Sequence, residues 1–486
     1  MIIYIKNHEF HYETENLARV FFPNEKIEVI NTVPDELISP YIYTAFDNGE
    51  NTAITTEIRI GDYQDSRKAE FRTDSSDLEL ELALLIYDML VKYTGVTPPW
   101  GVLTGVRPIK LFRRLLQDTS LEEAADYFKK RLMVSEEKTN LAIETEKHEQ
   151  AIIALSQDKS YSLYISVPFC PSRCSYCSFV SASVERAKHL IEPYTELLCR
   201  ELEETAEYAK KLGLRLESVY MGGGTPTTLS AEQMQRVLTA VNNNFDLSEC
   251  REFTIEAGRP DTITEEKLNV IKACGVDRIS INPQTLNDDV LRIIGRRHTA
   301  QDTIDTFLLA RRCGFTHINM DLIAGLPSET AESFIDTLDR ITQLDPESIT
   351  IHTLAMKRSS TLTQDGKTLN KEEAEAVAQM LSYANKKLHA CGYIPYYLYR
   401  QSRMTGNMEN TGWSKPGREG IYNVFVMDET HTVLACGAGA VTKLKENKNN
   451  TLERIFNFKY PYEYIDRFNE ITERKKRIGT FYAEHY

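Results

Sequence analysis

Cys170, Cys174 and Cys177 stand in SVPFCPSRCSYCSF as a C-x3-C-x2-C run, while the other six cysteines are widely scattered. This spacing brings three thiolates to one point. A closed structural zinc site wants four protein ligands, and no fourth Cys or His lies within a few residues. Three soft thiolates suit three irons of a four-iron cluster, with the fourth iron left open for a substrate. Buried, redox-inert cysteines are the plainer alternative, but such residues have no reason to gather on a proline-containing loop.

Further along, Gly222, Gly223 and Gly224 in YMGGGTPTTLS let backbone approach a ligand and offer it amide groups. Glu256 in TIEAGRPD, Gln284 in ISINPQT and Asp321 in NMDLIAGLP supply acceptors, and Arg296 follows Gln284. A ribose diol and a carboxylate need acceptors and a cation of this kind. Each residue singly serves a helix cap or a salt bridge equally well. Their recurrence is what favours a site.

Every one of these motifs follows a short apolar run. The runs are Leu163–Val167, Ser218–Met221, Phe253–Glu256, Arg278–Asn282, Ile318–Ile323 and Ser348–Leu354. Between them lie two-sided segments that predict helices over Arg186–Leu212, Ala231–Asn244, Thr264–Cys274, Thr303–Cys313, Ala331–Leu344 and Lys371–His389. Repeated strand–helix units build a parallel sheet, and chemistry gathers where its strands end. The expected fold is α/β: an incomplete (β/α)6 barrel over 156–395, an N-terminal α+β domain over 1–155 and a C-terminal covering region over 396–486. In the N-terminal part, MIIYIKNHEFHYE alternates like a strand, and Leu78–Tyr93 and Leu121–Lys129 read as helices.

The bulk composition excludes several classes. With 486 residues, 42% of them hydrophobic, the chain can build more than one core. Fifty-seven basic against 71 acidic residues give a net charge of −14, which argues against a nucleic-acid partner, a tRNA-modifying enzyme included. Nine cysteines, an odd number without a secretory signal, fit a reducing cytoplasm. No stretch approaches the roughly 18 apolar residues that span a bilayer, so no membrane segment is expected.

The cysteine spacing, with Tyr176 before the last cysteine, resembles the radical S-adenosylmethionine (SAM) superfamily. The set YISVPFCPSRCSYCSF, YMGGGTPT, IEAGRPD, RISINPQT and NMDLIAGLP resembles the oxygen-independent coproporphyrinogen III oxidases (coproporphyrinogen dehydrogenases). The long N-terminal segment, TGVRPIK, EAGRPDTIT and IHTLAMKR look most like their HemZ-type branch. The resemblance implies a 4Fe-4S cluster on the three cysteines, and SAM contacts at Tyr164, Tyr176, Gly223, Gly224, Thr225, Glu256, Gln284, Arg296 and Asp321. It implies oxidative decarboxylation of two propionates of coproporphyrinogen III to vinyl groups, giving protoporphyrinogen IX. A deoxyadenosyl radical takes hydrogen from the propionate β-carbon, carbon dioxide leaves, and the last electron passes to an acceptor. A small electron-donor protein such as flavodoxin or ferredoxin is the implied partner.

A tetracarboxylate substrate needs cations, and Lys357, Arg358, Arg400 and Arg403 lie at or beyond the last barrel strand. Tyr393, Tyr396, Tyr397, Tyr399 and Trp413 form either an aromatic wall for a macrocycle or a packed core. Two departures stand out. Phe179 occupies the position where the family's dehydrogenases carry another cysteine, an absence shared with the related haem chaperones. The stretch GNMENTGWS lacks the histidine of those chaperones. Haem-modifying methyltransferases share the barrel as well.

Overall fold

The computed structural model describes residues 1–72, 77–357, 360–364, 370–401 and 403–486. Two compact units form: Met1–Ile143 with Thr368–Glu375 and Arg400–Glu409, and Glu144–Lys367 with Ala376–Tyr399 and Asn410–Tyr486.

In the first unit, β1 (Ile2–Lys6) lies between β2 (Glu28–Ile30) and β3 (Tyr41–Asn48), parallel to both, and β4 (Asn51–Ile60) and β5 (Tyr63–Arg72) continue the sheet antiparallel. The opening apolar residues become β1, whose Ile3, Tyr4 and Ile5 are buried. The helix Leu78–Thr94 turns Leu82, Ile86, Met89 and Leu90 inward.

The second unit carries the barrel. Its parallel strands are β6 (Ser160–Val167), β9 (Arg215–Gly223), β10 (Glu252–Glu256), β11 (Arg278–Ser280), β12 (Ile318–Ala324) and β13 (Ser348–Thr353), adjacent in that order. Between β6 and β9 in sequence, β7 (Phe169–Cys170) and β8 (Ala182–Ser183) form a separate short parallel pair. Strands buried on both faces read as nearly unbroken apolar runs, and seven of the eight residues of β6 are buried. The intervening helices start where capping boxes form, as at Ser230 with Gln233 and Thr299 with Asp302.

The outer limits differ from the three-part expectation. β15 (Asn410–Ser414) adds antiparallel onto β13, and β14 (Ile394–Tyr399) adds antiparallel onto β15. At the other edge β16 (Thr432–Cys436) pairs parallel with β6, followed by β17 (Val441–Glu446) and β18 (Thr451–Phe456). The physical reason is that an incomplete barrel has two edges with unpaired backbone groups, and these later segments satisfy them. Much of 396–486 is therefore part of one eleven-stranded sheet. At the other boundary the helix Glu136–Ile153 runs through the division after Ile143.

Val424 and Phe425, from the helix Ile421–Asp428, pack with Ile152, Tyr396 and Tyr397. Tyr393 and Trp413 are buried as well, and a Cβ on Gly412 would stand 1.8 Å from the Tyr397 ring. These aromatics are core. No helix among the described residues is long and apolar enough to cross a membrane.

One buried ion pair ties the C-terminal helix Phe468–His485 to the helix Val184–Leu212. Lys475 Nζ lies 3.0 Å from Glu201 Oε1, both side chains 1% exposed. Tyr464 Oη and the Gly437 amide donate to Glu201 Oε2, and Lys475 donates to Thr205 and the Ala435 carbonyl. Removing one partner of a buried pair leaves an uncompensated charge. Lys475→Met is expected to cost about 3 kcal/mol, seen as a lower urea midpoint; an unchanged midpoint contradicts this placement.

Candidate active site

The cysteine loop leaves β6 and is pinned where it returns, the Ala182 amide donating to the Pro168 carbonyl at 2.8 Å. The Cys177 amide closes a turn on the Cys174 carbonyl at 3.1 Å, and the Ser175 amide reaches the Ile294 carbonyl, also at 3.1 Å. Ser172 Oγ donates to the Gly295 carbonyl at 2.9 Å. Cys174 is buried, and Cys170 and Cys177 are half-buried. Burial pushes the Cys177 thiol up to about 11, the neighbouring Cys174 and Cys170 adding to the rise, and burial raises Cys170 too.

The glycine loop is zipped onto this segment. The Gly224 amide donates to the Val167 carbonyl and the Thr225 amide to the Phe169 carbonyl, each at 2.8 Å. Thr225 Oγ1 donates to Cys170 Sγ at 3.6 Å. A Cβ on Gly224 would meet the Phe169 and Val167 carbonyl oxygens at 2.6 and 2.8 Å. Close backbone approach here is first to the cysteine loop itself.

Next along the strand ends, Glu256 accepts from Tyr220 Oη at 2.5 Å. Burial pushes its carboxyl up to about 7; the Tyr220 hydrogen bond opposes this and the Asp321 charge adds to it. Tyr164, Tyr220 and Tyr422 stack, the Tyr220 and Tyr422 rings 4.4 Å apart. Burial also raises Asp321, but nearby His352, 3.8 Å away, with Asn319 and Thr350, outweighs it and holds the carboxyl below its usual range. Asn319 Nδ2 stands 2.7 Å from Asp321 Oδ1. Gln284 takes a left-handed φ of 68°, with its amide on the Asp321 carbonyl at 2.9 Å and its carbonyl accepting from Ile323 at 3.0 Å. A non-glycine residue there is strained.

Arg296, 8% exposed, donates to Tyr176 Oη at 3.2 Å and to the carbonyls of Asn282 and Gly258. The expected positions thus form three linked groups: the cysteines with Thr225 and the glycines, Glu256 beside Tyr220 and Tyr164, and Asp321 with Gln284, while Arg296 joins Tyr176.

Sequence reading passed over Arg259. Its Nη1 is 3.3 Å from Cys174 Sγ, its Nη2 2.9 Å from Ser172 Oγ and its Nε 3.2 Å from Asp261 Oδ1. The available signal was an arginine in a Gly-Arg-Pro turn directly after β10. Tyr220, His352 and Tyr422 were also missed; they look ordinary until the strands are in register.

Several expectations are corrected. Among the described residues, no three Cys, His, Asp or Glu side chains gather as one metal ion requires. A cluster with its irons at separate corners does not ask for that convergence. Arg400, expected at or beyond the last barrel strand as a cation for a tetracarboxylate, belongs to the first unit and is 3% exposed. Its guanidinium donates to the Leu103 and Asn407 carbonyls and covers the Trp100 ring, which leaves it no grip on a propionate. Arg403, also in that unit, has a left-handed φ of 61°. Arg358 lies outside the described residues.

The residues fit an iron–sulfur cluster by charge. Arg259 and Arg296 are both buried beside the loop, Asp261 pairs with Arg259, and Arg296 has no carboxylate partner among the described residues. An uncompensated buried guanidinium costs several kcal/mol. Three thiolates on a cluster supply the missing negative charge, and metal binding removes the protons that burial holds on Cys170 and Cys177.

A family model described as the Radical SAM superfamily matches residues 164–341. The oxygen-independent coproporphyrinogen-III oxidase-like protein HemZ of Bacillus subtilis (strain 168) is 35% identical over 481 residues, covering 97% of this chain and 96% of that protein. The heme chaperone HemW of the same strain is 32% identical over 259 residues, 52% of this chain and 67% of that protein. The solved Escherichia coli coproporphyrinogen III oxidase, HemN, described as a radical SAM enzyme, shares the fold with a TM-score of 0.52 at 23% identity, covering 66% of this chain and 73% of that one. The barrel is that of a radical SAM protein. Within that superfamily the chain belongs to the HemZ-type branch of the oxygen-independent coproporphyrinogen III oxidase family. Its cofactors are a 4Fe-4S cluster and SAM.

Cys174→Ala is expected to abolish the iron-linked visible absorption after anaerobic reconstitution. Full absorption and iron content in that variant would show that the cluster sits elsewhere.

Proposed function

We propose that this chain is a coproporphyrinogen III dehydrogenase, converting two propionates to vinyl groups without oxygen. The observation that carries the reading is the order of the site: the cysteine loop, the glycine loop, Glu256 and Gln284 lie at the C-terminal ends of four successive strands of one parallel barrel, and Asp321 lies within the next strand, β12. The near full-length likeness to HemZ supports it.

When bound, the cluster and SAM supply a deoxyadenosyl radical. The chain's own residues bind and orient. Glu256 and Asp321 offer acceptors to hydroxyl or ammonium groups, Arg296 supplies positive charge for a carboxylate, the Gly223–Thr225 backbone packs against the cysteine loop, and Tyr164 and Tyr176 flank the adenosine side. Lys357, just past β13, is half-buried, and burial lowers its pKa. Among the described residues it has no counter-ion, so a propionate is a fitting partner. Electrons come from a small donor protein such as flavodoxin or ferredoxin.

A haem chaperone is the second reading, favoured by one observation. Phe179 replaces the additional family cysteine and is 63% exposed, so no thiol stands at that position to take part in decarboxylation.

The test is anaerobic: the reconstituted protein receives SAM, reductant and coproporphyrinogen III, and deoxyadenosine and porphyrin masses are followed together. Protoporphyrinogen formed in step with deoxyadenosine is expected. Deoxyadenosine without decarboxylation, or tight haem binding with neither, transfers the assignment to the haem-handling relatives.

A further inference from the structure

The Arg259 guanidinium is held on three sides. Asp261 takes Nε at 3.2 Å, Ser172 Oγ takes Nη2 at 2.9 Å, and Nη1 is left facing Cys174 Sγ at 3.3 Å. Its side chain is 4% exposed. The backbone behind it is fixed as well: Pro260–Thr262 form one turn of 3-10 helix, Thr262 Oγ1 donates to the Arg259 carbonyl at 2.8 Å, and Lys267 Nζ donates to the Thr262 carbonyl at 3.0 Å. A long side chain anchored in this way loses its conformational freedom in order to present one N–H to one sulfur.

We propose that Arg259 is a positioning residue that sets the reduction potential of the cluster through its hydrogen bond to the Cys174 sulfur. Hydrogen bonds to ligand sulfurs and nearby positive charge stabilise the more negative, reduced state of a cluster and so raise its potential. Burial strengthens the effect, because water does not screen a guanidinium in this position. Ser172 and Asp261 serve as its anchors. His298 stands 3.9 Å from Asp261, and neither ring nitrogen has a hydrogen-bond partner. Burial first, then the charges of Arg296 and Arg259, push it down to about 4. It therefore stands beside the arginines as a neutral ring and adds no positive charge to theirs. The inference rests on the cluster alone and stands whether the substrate is coproporphyrinogen or haem.

The experiment is an EPR-monitored redox titration of the full chain with its cluster reconstituted, comparing wild type, Arg259→Leu, Arg259→Lys and the exposed control Arg292→Leu, with SAM binding measured alongside. In Arg259→Leu the ratio of reduced to oxidised cluster at a fixed potential is expected to fall about tenfold, equivalent to about 59 mV for one electron. Arg259→Lys, which keeps the charge and loses the fork, falls between it and wild type, and Arg292→Leu matches wild type. If Arg259→Leu assembles no cluster, a lowered potential in Arg259→Lys supports the proposal and an unchanged one overturns it. Wild-type potentials in both Arg259 variants, or unchanged potentials with weakened SAM binding, overturn it too.

Discussion

The end of β6 is the point on which the site depends. Its last residues are gripped by backbone from both sides, by β9 at Val167↔Gly223 and by β16 at Ile165↔Cys436. The Gly224 and Thr225 amides extend the first grip past the strand, onto Val167 and Phe169. On the second side Ser166 Oγ donates to the Ala438 carbonyl and Tyr194 Oη to the Ser166 carbonyl. A loop leaving so constrained a strand inherits its rigidity, and three cysteines on that loop keep fixed positions without bonds to each other. The Glu201–Lys475 pair belongs to the same device, because Glu201 also accepts from the Gly437 amide in the turn behind Ser166.

Charge is the second constraint. Parallel barrels are apolar inside, yet this one buries Arg259 and Arg296 and half-buries Glu256 and Asp321, the last with a partner network of its own. Each buried group is costly alone. Together with the three cysteines they set cations and acceptors at separate positions around the end of β6.

Much of this was legible in the sequence. The six barrel strands and the helices between them appear within a few residues of where their periodicity placed them, because strands buried on both faces are continuous apolar runs and the helices carry clear caps. The cysteine and glycine loops were legible because their chemistry is local. The edge strands β14 to β18 were not: β15 is placed by the open edge of β13 and β16 by that of β6, an edge formed more than two hundred residues away. Arg400 resembled a surface cation because its partners, Trp100 and the Leu103 carbonyl, lie about three hundred positions upstream. Arg259 was hidden for a related reason, since only the folded register of β6 against β10 through β9 shows it facing a cysteine.

The central claim is that Cys170, Cys174 and Cys177 hold a 4Fe-4S cluster with one iron free for SAM. Mössbauer spectroscopy of the iron-57-reconstituted chain, with and without SAM, tests it most directly. The account predicts that one iron site of the cluster changes its parameters when SAM is added while the others stay alike. A spectrum unchanged by SAM, or iron present only as isolated ions, would contradict it.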